Sequence, residues 1–341
     1  MMNSVTDQLP KLSSTILIPR EDESVASKLD VFYCLDDNFC LPTGIAALSV
    51  LKNNPSLPLT IHFVGVDVSE ENIDYFKRID CPSCSEVIFH LLSEKDCSKF
   101  TAGRASLHFP PANFVRIFLP KLFPNLKKIL YLDGDTLCVG SIKELADLPL
   151  NENFAGVVLD VPPKKLPKNQ ALRKDFNAGM LLINVEAYNK ADMPNKIISI
   201  MENNPQYNAP DQMALNDAFG DKKKWLDGKF NFIQEISIGN EDDSQRVNDS
   251  AIIHYANRSK PWTLAFTTKL YDKYYLSSPW KDFPKGLVYK NDPNSLKKYA
   301  LWLFRKNQFS KSLTVWTKYI KVLIERKKNK FSKKFSQKTK L

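Results

Sequence analysis

The chain has 341 residues, 43% of them hydrophobic and 25% charged, close to globular averages. That excludes a disordered chain and fits two domains, or one large α/β domain with an appendage. The charge is uneven: 48 Lys+Arg against 38 Asp+Glu give +10, but residues 281–341 hold 18 basic and 3 acidic side chains, +15, leaving −5 on residues 1–280. No apolar run approaches the ~18–20 residues of a membrane span, and the N-terminus lacks the basic start and apolar core of a secretory signal, so the expected compartment is the cytoplasm.

Residues 1–27 are polar and read as a loose lead-in. Leu29–Leu35 (LDVFYCL) is an apolar strand ending in Asp36-Asp37-Asn38. Pro42–Asn53 has apolar residues at helical spacing, Leu59–Val66 is a second strand, and Ser69–Arg78 opens like a capped helix. Glu86–Leu92 is a third strand, Ala112–Leu122 a helix, and Lys128–Leu132 a short buried strand ending at Asp133. This alternation predicts an α/β fold with a largely parallel sheet. Further on, Phe154–Leu159, Met180–Val185 and Ala251–Tyr255 read as strands and Pro210–Phe219 as a helix. The composition shifts near residue 280 to aromatics and lysines. The six cysteines, with no secretory signal, are expected as free thiols. Cys81-Pro-Ser-Cys84, with His90 and Cys97 nearby, lacks the second pair a zinc site wants and is assigned to packing.

Five constellations could carry chemistry. Leu130-Tyr-Leu-Asp133-Gly134-Asp135 delivers two carboxylates at a strand's C-terminal end, where open α/β sheets bind ligands, and two hard oxygens suit Mg²⁺ or Mn²⁺. A solvated turn is the bland alternative. Haloacid-dehalogenase phosphatases use the same pattern, but Leu137 stands where their Thr or Val would be. Asp36-Asp37-Asn38-Phe39 sets polar groups beside a ring that could hold a uracil and ribose, though such loops are common. Asp175-Phe-Asn177-Ala178-Gly179 places small residues where a ligand can approach backbone; a tight strand entry is the alternative. Pro210-Asp211-Gln212 is either simple helix initiation or a sugar-facing turn. His254-Tyr-Ala-Asn257-Arg-Ser-Lys260-Pro-Trp262 offers an imidazole, one of four in the chain, and a phosphate-binding ammonium.

The order of these segments resembles glycosyltransferase family 8, and within it the bacterial lipopolysaccharide core glucosyl- and galactosyltransferases, over roughly residues 29–330. The segments are ANFVRIFLPKLFPNLKKILYLDGDTLCVGSIKEL, DFNAGMLLINVEAY, APDQMALN and IHYANRSKPW, with Ser278-Pro-Trp-Lys-Asp282 resembling that subgroup's C-terminal extension. The resemblance implies a GT-A fold with a basic, mostly helical extension. The expected divisions are a lead-in at 1–27, a catalytic domain at 28–275 and a membrane-associating extension at 276–341. It further implies retaining transfer of glucose or galactose from a UDP-sugar to a lipopolysaccharide core acceptor, with Mn²⁺ or Mg²⁺. Asp133, Asp135 and His254 would hold the metal. Backbone of Cys34 and Leu35, with Asp36, Asn38 and Phe39, would grip the uridine. Arg116, Gly134, Asn177, Ala178, Gly179, Asn257 and Lys260 would line the rest of the donor site. Gln212, Asp211 and Asp160 are the candidates beside the transferring sugar. Phe39 stands where a relative has Tyr, which keeps stacking and loses a hydroxyl. Asn257 stands where the family has Gly; if that Gly lets backbone approach the diphosphate, Asn must adopt its conformation, and Asn tolerates left-handed geometry.

UDP leaves as an anion from an oxocarbenium-like state. An amide is a poor nucleophile, so same-face attack by the acceptor, with Gln212 and Asp211 positioning the sugar, is the expected route. In the tail, Leu313, Trp316, Ile320 and Leu323 recur among Lys311, Lys318 and Lys321, ahead of Arg326-Lys-Lys-Asn-Lys330. This predicts a helix lying on an anionic membrane over 311–341, peripheral on the inner face of the bacterial inner membrane; packing of that helix on the body is the alternative. A transferase for another surface glycan or a glycoprotein stays open within the class. A nucleic-acid binder is the other-class alternative, disfavoured by the acidic body and the lack of an RNP-like aromatic strand.

Overall fold

The computed structural model describes residues 9–22, 24–97, 110–160, 174–239 and 249–338. Two units emerge. The first comprises residues up to 233 with 246–256 and 277–280, and the second comprises 234–245, 257–276 and 281–341.

The first unit is built on an eight-stranded sheet. Its strands are β1 (Ser13–Ile18), β2 (Leu29–Asp36), β3 (Leu59–Val66), β4 (Glu86–Leu92), β5 (Lys128–Leu132), β7 (Ala155–Leu159), β8 (Phe176–Asn184) and β9 (Lys223–Trp225), in the order β1-β4-β3-β2-β5-β8-β7-β9. A three-stranded sheet joins β6 (Thr136–Cys138) to β11 (Ile252–His254) and β10 (Phe232–Ile233). The helices of this unit are α1 (Cys40–Asn53), α2 (Glu70–Phe76), α3 (Glu94–Cys97), α4 (Ala112–Val115), α5 (Leu119–Leu122), α6 (Lys143–Asp147), α7 (Val185–Lys190), α8 (Met193–Asn203) and α9 (Pro210–Phe219).

The expected parallel core is there: β4, β3, β2 and β5 pair in parallel. Beyond β5 the sheet turns antiparallel through β8 and β7, so it is mixed rather than largely parallel. Every residue of β3 is buried, as a strand covered on both faces must be. The lead-in is not all loose. Ser13–Ile18 adds to the edge of β4, a pairing that six residues with two serines and a threonine do not advertise; residues 1–8 and 23 of that segment lie outside the described residues. Among the described residues all six cysteines are free. His90 does not join the Cys81 pair. It completes a polar row across four strands, with Ser14 Oγ at 2.7 Å, His62 Nδ1 at 3.0 Å and His62 Nε2 at 3.2 Å from Asp30.

The helix expected over 112–122 is broken. Proline has no N–H and its ring clashes with the carbonyl four residues back, so Pro120 cannot follow Arg116 in one helix. Instead α4 stops with Arg116 at its C-cap and α5 restarts with Pro120 in its first turn. The break leaves Arg116 at a corner. A second anchor is Trp280, fully buried against α1 where Gly44 leaves room: a Cβ there would sit 2.0 Å from the indole.

The second unit contains α10 (Lys269–Leu276), α11 (Pro293–Arg305) and α12 (Phe309–Lys338). Helix α12 packs on α11 through Ser312, Val315 and Val322, with Ser312 Oγ donating to Ala300 O at 2.9 Å. The apolar positions singled out in the sequence mostly lie elsewhere: Leu313 is 68% exposed, Ile320 54% and Leu323 37%. The helix therefore has two apolar faces, one used within the unit and one turned outward.

Candidate active site

Asp133 follows β5, and antiparallel pairing with β8 fixes its backbone through a 2.8 Å hydrogen bond to Gly179 O. Its carboxylate is divided between two jobs. Oδ1 accepts from Tyr131 Oη at 2.6 Å and Arg116 Nη1 at 3.0 Å, while Oδ2 faces His254 Nε2 at 3.7 Å. Burial, then the Asp133 charge, pushes the Tyr131 phenol up, so it remains a donor. Gly134 lets the turn close: a Cβ would lie 2.2 Å from Thr43 Oγ1 and 2.9 Å from the Phe39 ring.

Arg116 is buried and held at both ends. Its Nε donates to Asp211 Oδ2 at 3.0 Å, Nη2 makes a second short bond to the same oxygen, and Nη1 also reaches Ala178 O at 3.0 Å. Burial alone would lower its basicity, but Asp211, with Tyr131 and Asp133, outweighs it and keeps the guanidinium charged. Asp211, expected beside the sugar, is thus committed to a buried ion pair.

His254 ends β11, whose antiparallel register with β6 sets it across from Thr136. Tyr255 N–H donating to Asp135 O at 3.0 Å carries the pairing one residue further, so Nε2 comes 3.1 Å from Asp135 Oδ1. The other ring nitrogen lies 2.9 Å from Asn231 Oδ1. Asn231 Nδ2 donates to Asn177 Oδ1 at 3.0 Å, which also accepts from Gly179 N–H at 2.9 Å. Gly179 is required here: a Cβ would meet His254 Cε1 at 2.1 Å.

Strand β8 carries a register shift opposite Val157/Val158 that leaves residues 178–180 without partners on β7. The freed backbone serves the site, with Ala178 O taken by Arg116 and Ala178 N–H donated to Gln212 Oε1 at 3.0 Å. Gln212 Nε2 donates to Asp160 Oδ2 at 3.0 Å, and Asn177 Nδ2 lies 3.4 Å from Asp160 Oδ1. Asn216, one turn along α9, clamps Phe176 through both its backbone groups.

At the exit of β2, Cys34 and Leu35 are buried, and burial holds the Cys34 thiol protonated. Asp36 Oδ1 is buried with no hydrogen-bond partner among the described residues. Asn38 is exposed and Phe39 half-buried beside Gly134. Asp37 is consumed locally. Against burial, hydrogen bonds from Asn72 and from Ser69 hold its carboxyl below the usual range and fasten it to the start of α2. Asn257 and Lys260 fall in the second unit. Asn257 is exposed and is not among the residues with positive φ, so it needs no left-handed conformation. Lys260 is buried, its Nζ 5.6 Å from the Trp262 ring centre and 5.8 Å from that of Tyr289.

One ligand atom from each of Asp133, Asp135 and His254 lies within 4.8 Å of the others. Two ligands of one octahedral cation at about 2.1 Å lie about 3.0 Å apart when cis and about 4.2 Å when trans. The 3.1 Å separation is close to the cis spacing, and the 3.7 Å separation falls between the two. Two carboxylate oxygens and an imidazole nitrogen turned toward one point are a donor set that fits a divalent cation. Two members of the site were not singled out from sequence. Tyr131 is legible afterwards, since it stands two residues before Asp133 on the same side of β5. Asn231 carries no local signal at all.

The family model for glycosyl transferase family 8 matches residues 30–265. The lipopolysaccharide 1,3-galactosyltransferase of Salmonella typhimurium strain LT2 is 25% identical over 318 residues, covering 87% of this chain and 92% of its own. The lipopolysaccharide 1,2-glucosyltransferase of Escherichia coli K12 is 27% identical over 271 residues, covering 74% and 79%. Among solved structures, an active-site mutant of LgtC superposes with a TM-score of 0.59 at 23% identity, over 72% of this chain and 94% of that one. With its mixed sheet and with the Asp-x-Asp turn at the exit of the parallel strands, the chain has a GT-A fold and belongs to glycosyl transferase family 8.

Proposed function

We propose that the protein transfers glucose or galactose from a UDP-sugar to a lipopolysaccharide core acceptor, with retention at the anomeric carbon. The observation that carries this reading is the convergence of Asp133, Asp135 and His254 in a family 8 chain whose curated relatives include lipopolysaccharide hexosyltransferases. These three side chains would hold Mn²⁺ or Mg²⁺, which supplies Lewis-acid stabilisation of the departing diphosphate. The orphaned Asp36 Oδ1 is an acceptor for a uracil N–H or ribose hydroxyl, with Cys34, Leu35, Asn38 and Phe39 around it. Asn177, Ala178, Gly179 and Arg116 line the donor side.

Gln212 Oε1 is taken by a backbone N–H, which argues for a positioning amide rather than a nucleophile. The acceptor hydroxyl oxygen attacks the anomeric carbon from the face the diphosphate leaves. The carbon–oxygen bond to the β-phosphate breaks with its electron pair going to UDP, and a phosphate oxygen takes the hydroxyl proton. Gln212 and Asp160 hold the sugar, and Asp211 acts through Arg116. UDP release from a panel of UDP-sugars, with Mn²⁺ and with chelator, tests the reading. One sugar should be turned over, chelator-sensitively, when truncated core oligosaccharide is present. Absence of UDP binding in Mn²⁺ would overturn it.

The acceptor would be met at the cytoplasmic face of a membrane. No helix among the described residues is long and apolar enough to cross one, but the outward stripe of α12 lies among Lys311, Lys318 and Lys321, and each basic residue near an anionic surface contributes about 1 kcal/mol. Replacing Leu313, Ile320 and Leu323 with Ser leaves the face packed on α11 intact and should abolish flotation with anionic liposomes. Undiminished flotation would refute the docking role.

A further inference from the structure

We propose that Asn231 is a positioning residue that sets the tautomer of His254, through a hydrogen-bond relay whose direction is dictated by the backbone N–H of Gly179. The relay follows from what each group can do. A backbone N–H only donates, so the Asn177 atom 2.9 Å from Gly179 N is its carbonyl Oδ1. That oxygen only accepts, so the Asn231 atom 3.0 Å from it is the amide Nδ2. Asn231 must then present Oδ1 to His254 Nδ1 at 2.9 Å, and the hydrogen between them belongs to the imidazole. On a neutral ring this leaves Nε2 bare, and Nε2 is the atom 3.1 Å from Asp135 and 3.7 Å from Asp133.

The relay is also a steric register. Gly179 supplies the N–H at one end of the chain and the space for the His254 ring at the other. Asn231 is placed by the parallel pairing of β10 with β11, which sets Ile233 beside His254, and its own burial leaves it no water to satisfy the amide otherwise. Ligating imidazoles elsewhere have their second nitrogen fixed in this way, and loss of the fixing group costs about 10–100-fold in metal affinity.

The proposal rests on the reading that the triad holds a cation, so its first test uses none. With ring-¹⁵N histidine and metal-free protein, His254 should show hydrogen on Nδ1, donated to Asn231 Oδ1; a His254→Gln sample identifies the signal among the four histidines. A bare Nδ1 would overturn the relay. The second test is Mn²⁺ titration of the full chain followed by the free-ion EPR signal. Asn231→Leu, which cannot accept, should bind about 10–100-fold more weakly and lose the tautomer preference. Asn231→Asp, which still accepts from the imidazole but loses the bond to Asn177, should bind more tightly than Asn231→Leu, because a carboxylate can also fix a ligating imidazole. Equal losses in both variants would mark Asn231 as merely structural and refute the proposal. Wild-type protein with the expected tautomer but no Mn²⁺ binding would refute the cation reading instead, and the two failures are therefore distinct.

Discussion

Replacing Gly179 with Ala is the sharpest probe of the site. The added methyl would lie 2.1 Å from His254 Cε1, 2.7 Å from Nδ1 and 2.9 Å from Asp133 Oδ2, whereas ordinary contact begins at 3.4 Å. The ring must therefore retreat by about 1.3 Å, and metal–ligand distances tolerate only about 0.2 Å. His254 is only 3% exposed. Either the imidazole leaves its ligand position or β8 shifts and carries the Gly179 carbonyl that holds Asp133. Both outcomes remove a ligand, so divalent-cation affinity should fall by at least about 100-fold. Overpacking should also cost about 1–3 kcal/mol of stability. Gly65→Ala separates the two effects. Its methyl would also press on a buried ring, Phe89, at 2.7 Å, but Gly65 lies in β3. It should lower the melting temperature comparably and leave Mn²⁺ affinity near wild type. Calorimetric titration of both folded variants decides the matter. A Gly179→Ala protein that binds Mn²⁺ as wild type does would refute the account of why this position is glycine.

Burial, with His62 adding to it, depresses the His90 pKa from 6.5 to about 3. The folded protein keeps the ring neutral while the unfolded chain protonates it below 6.5. The stabilisation is therefore full above that pH and declines as pH falls toward 3, with about 2 kcal/mol lost by pH 5. Urea unfolding at pH 7 and pH 5 should show this loss in wild type and a smaller one in His90→Gln; equal losses would count against it. Arg116→Met strands the buried Asp211 carboxylate and should destabilise by about 3–5 kcal/mol, and adding Asp211→Leu should recover most of that. A double variant no more stable than the single one would show that the pair is not the cause. Trp280→Ala empties the space against Gly44 and should cost about 3–5 kcal/mol in chemical denaturation; a cost below about 1 kcal/mol would mean that the indole is not a core anchor.

The parallel strands were readable because both faces are covered, so β2 and β3 are mostly apolar along their length. The Asp-x-Asp turn was readable for the same reason: a buried strand has to stop where two carboxylates begin. The helix over 112–122 was misjudged because its apolar spacing is helical while a single residue, Pro120, forbids continuity. The edge strand β1 was missed because its partners lie over 70 residues away, in β4, and its own alternation is weak. Asn231 was invisible on physical grounds. It touches the site only because β10 pairs with β11, and β10 is two residues long. For Asp211 the sequence shows that a carboxylate opens α9 but not that Arg116, 95 residues earlier, turns back to meet it.

The arrangement of fixed charge accounts for why the proposed donor site would take an added cation rather than another basic side chain. The first unit gathers Asp133, Asp135, Asp160 and Asp211 into one hydrogen-bonded cluster with one guanidinium, Arg116, and that guanidinium is committed to Asp211 and to one oxygen of Asp133. Its charge is therefore used up in holding the carboxylates in place and cannot also meet a diphosphate. Two like charges 4 Å apart at a partly exposed site repel by about 4 kcal/mol, so a diphosphate brought unaided to the exit of β5 meets Asp133 Oδ2 and Asp135 at a net disadvantage. A divalent cation between them reverses the sign of every one of these terms. The same logic accounts for the division of the Asp133 carboxylate. Tyr131 and Arg116 hold Oδ1 so that Oδ2 keeps its direction when no cation is bound, and Asn231 does for His254 what Tyr131 does for Asp133. The turn thus presents pre-aimed lone pairs where the proposed cation would sit.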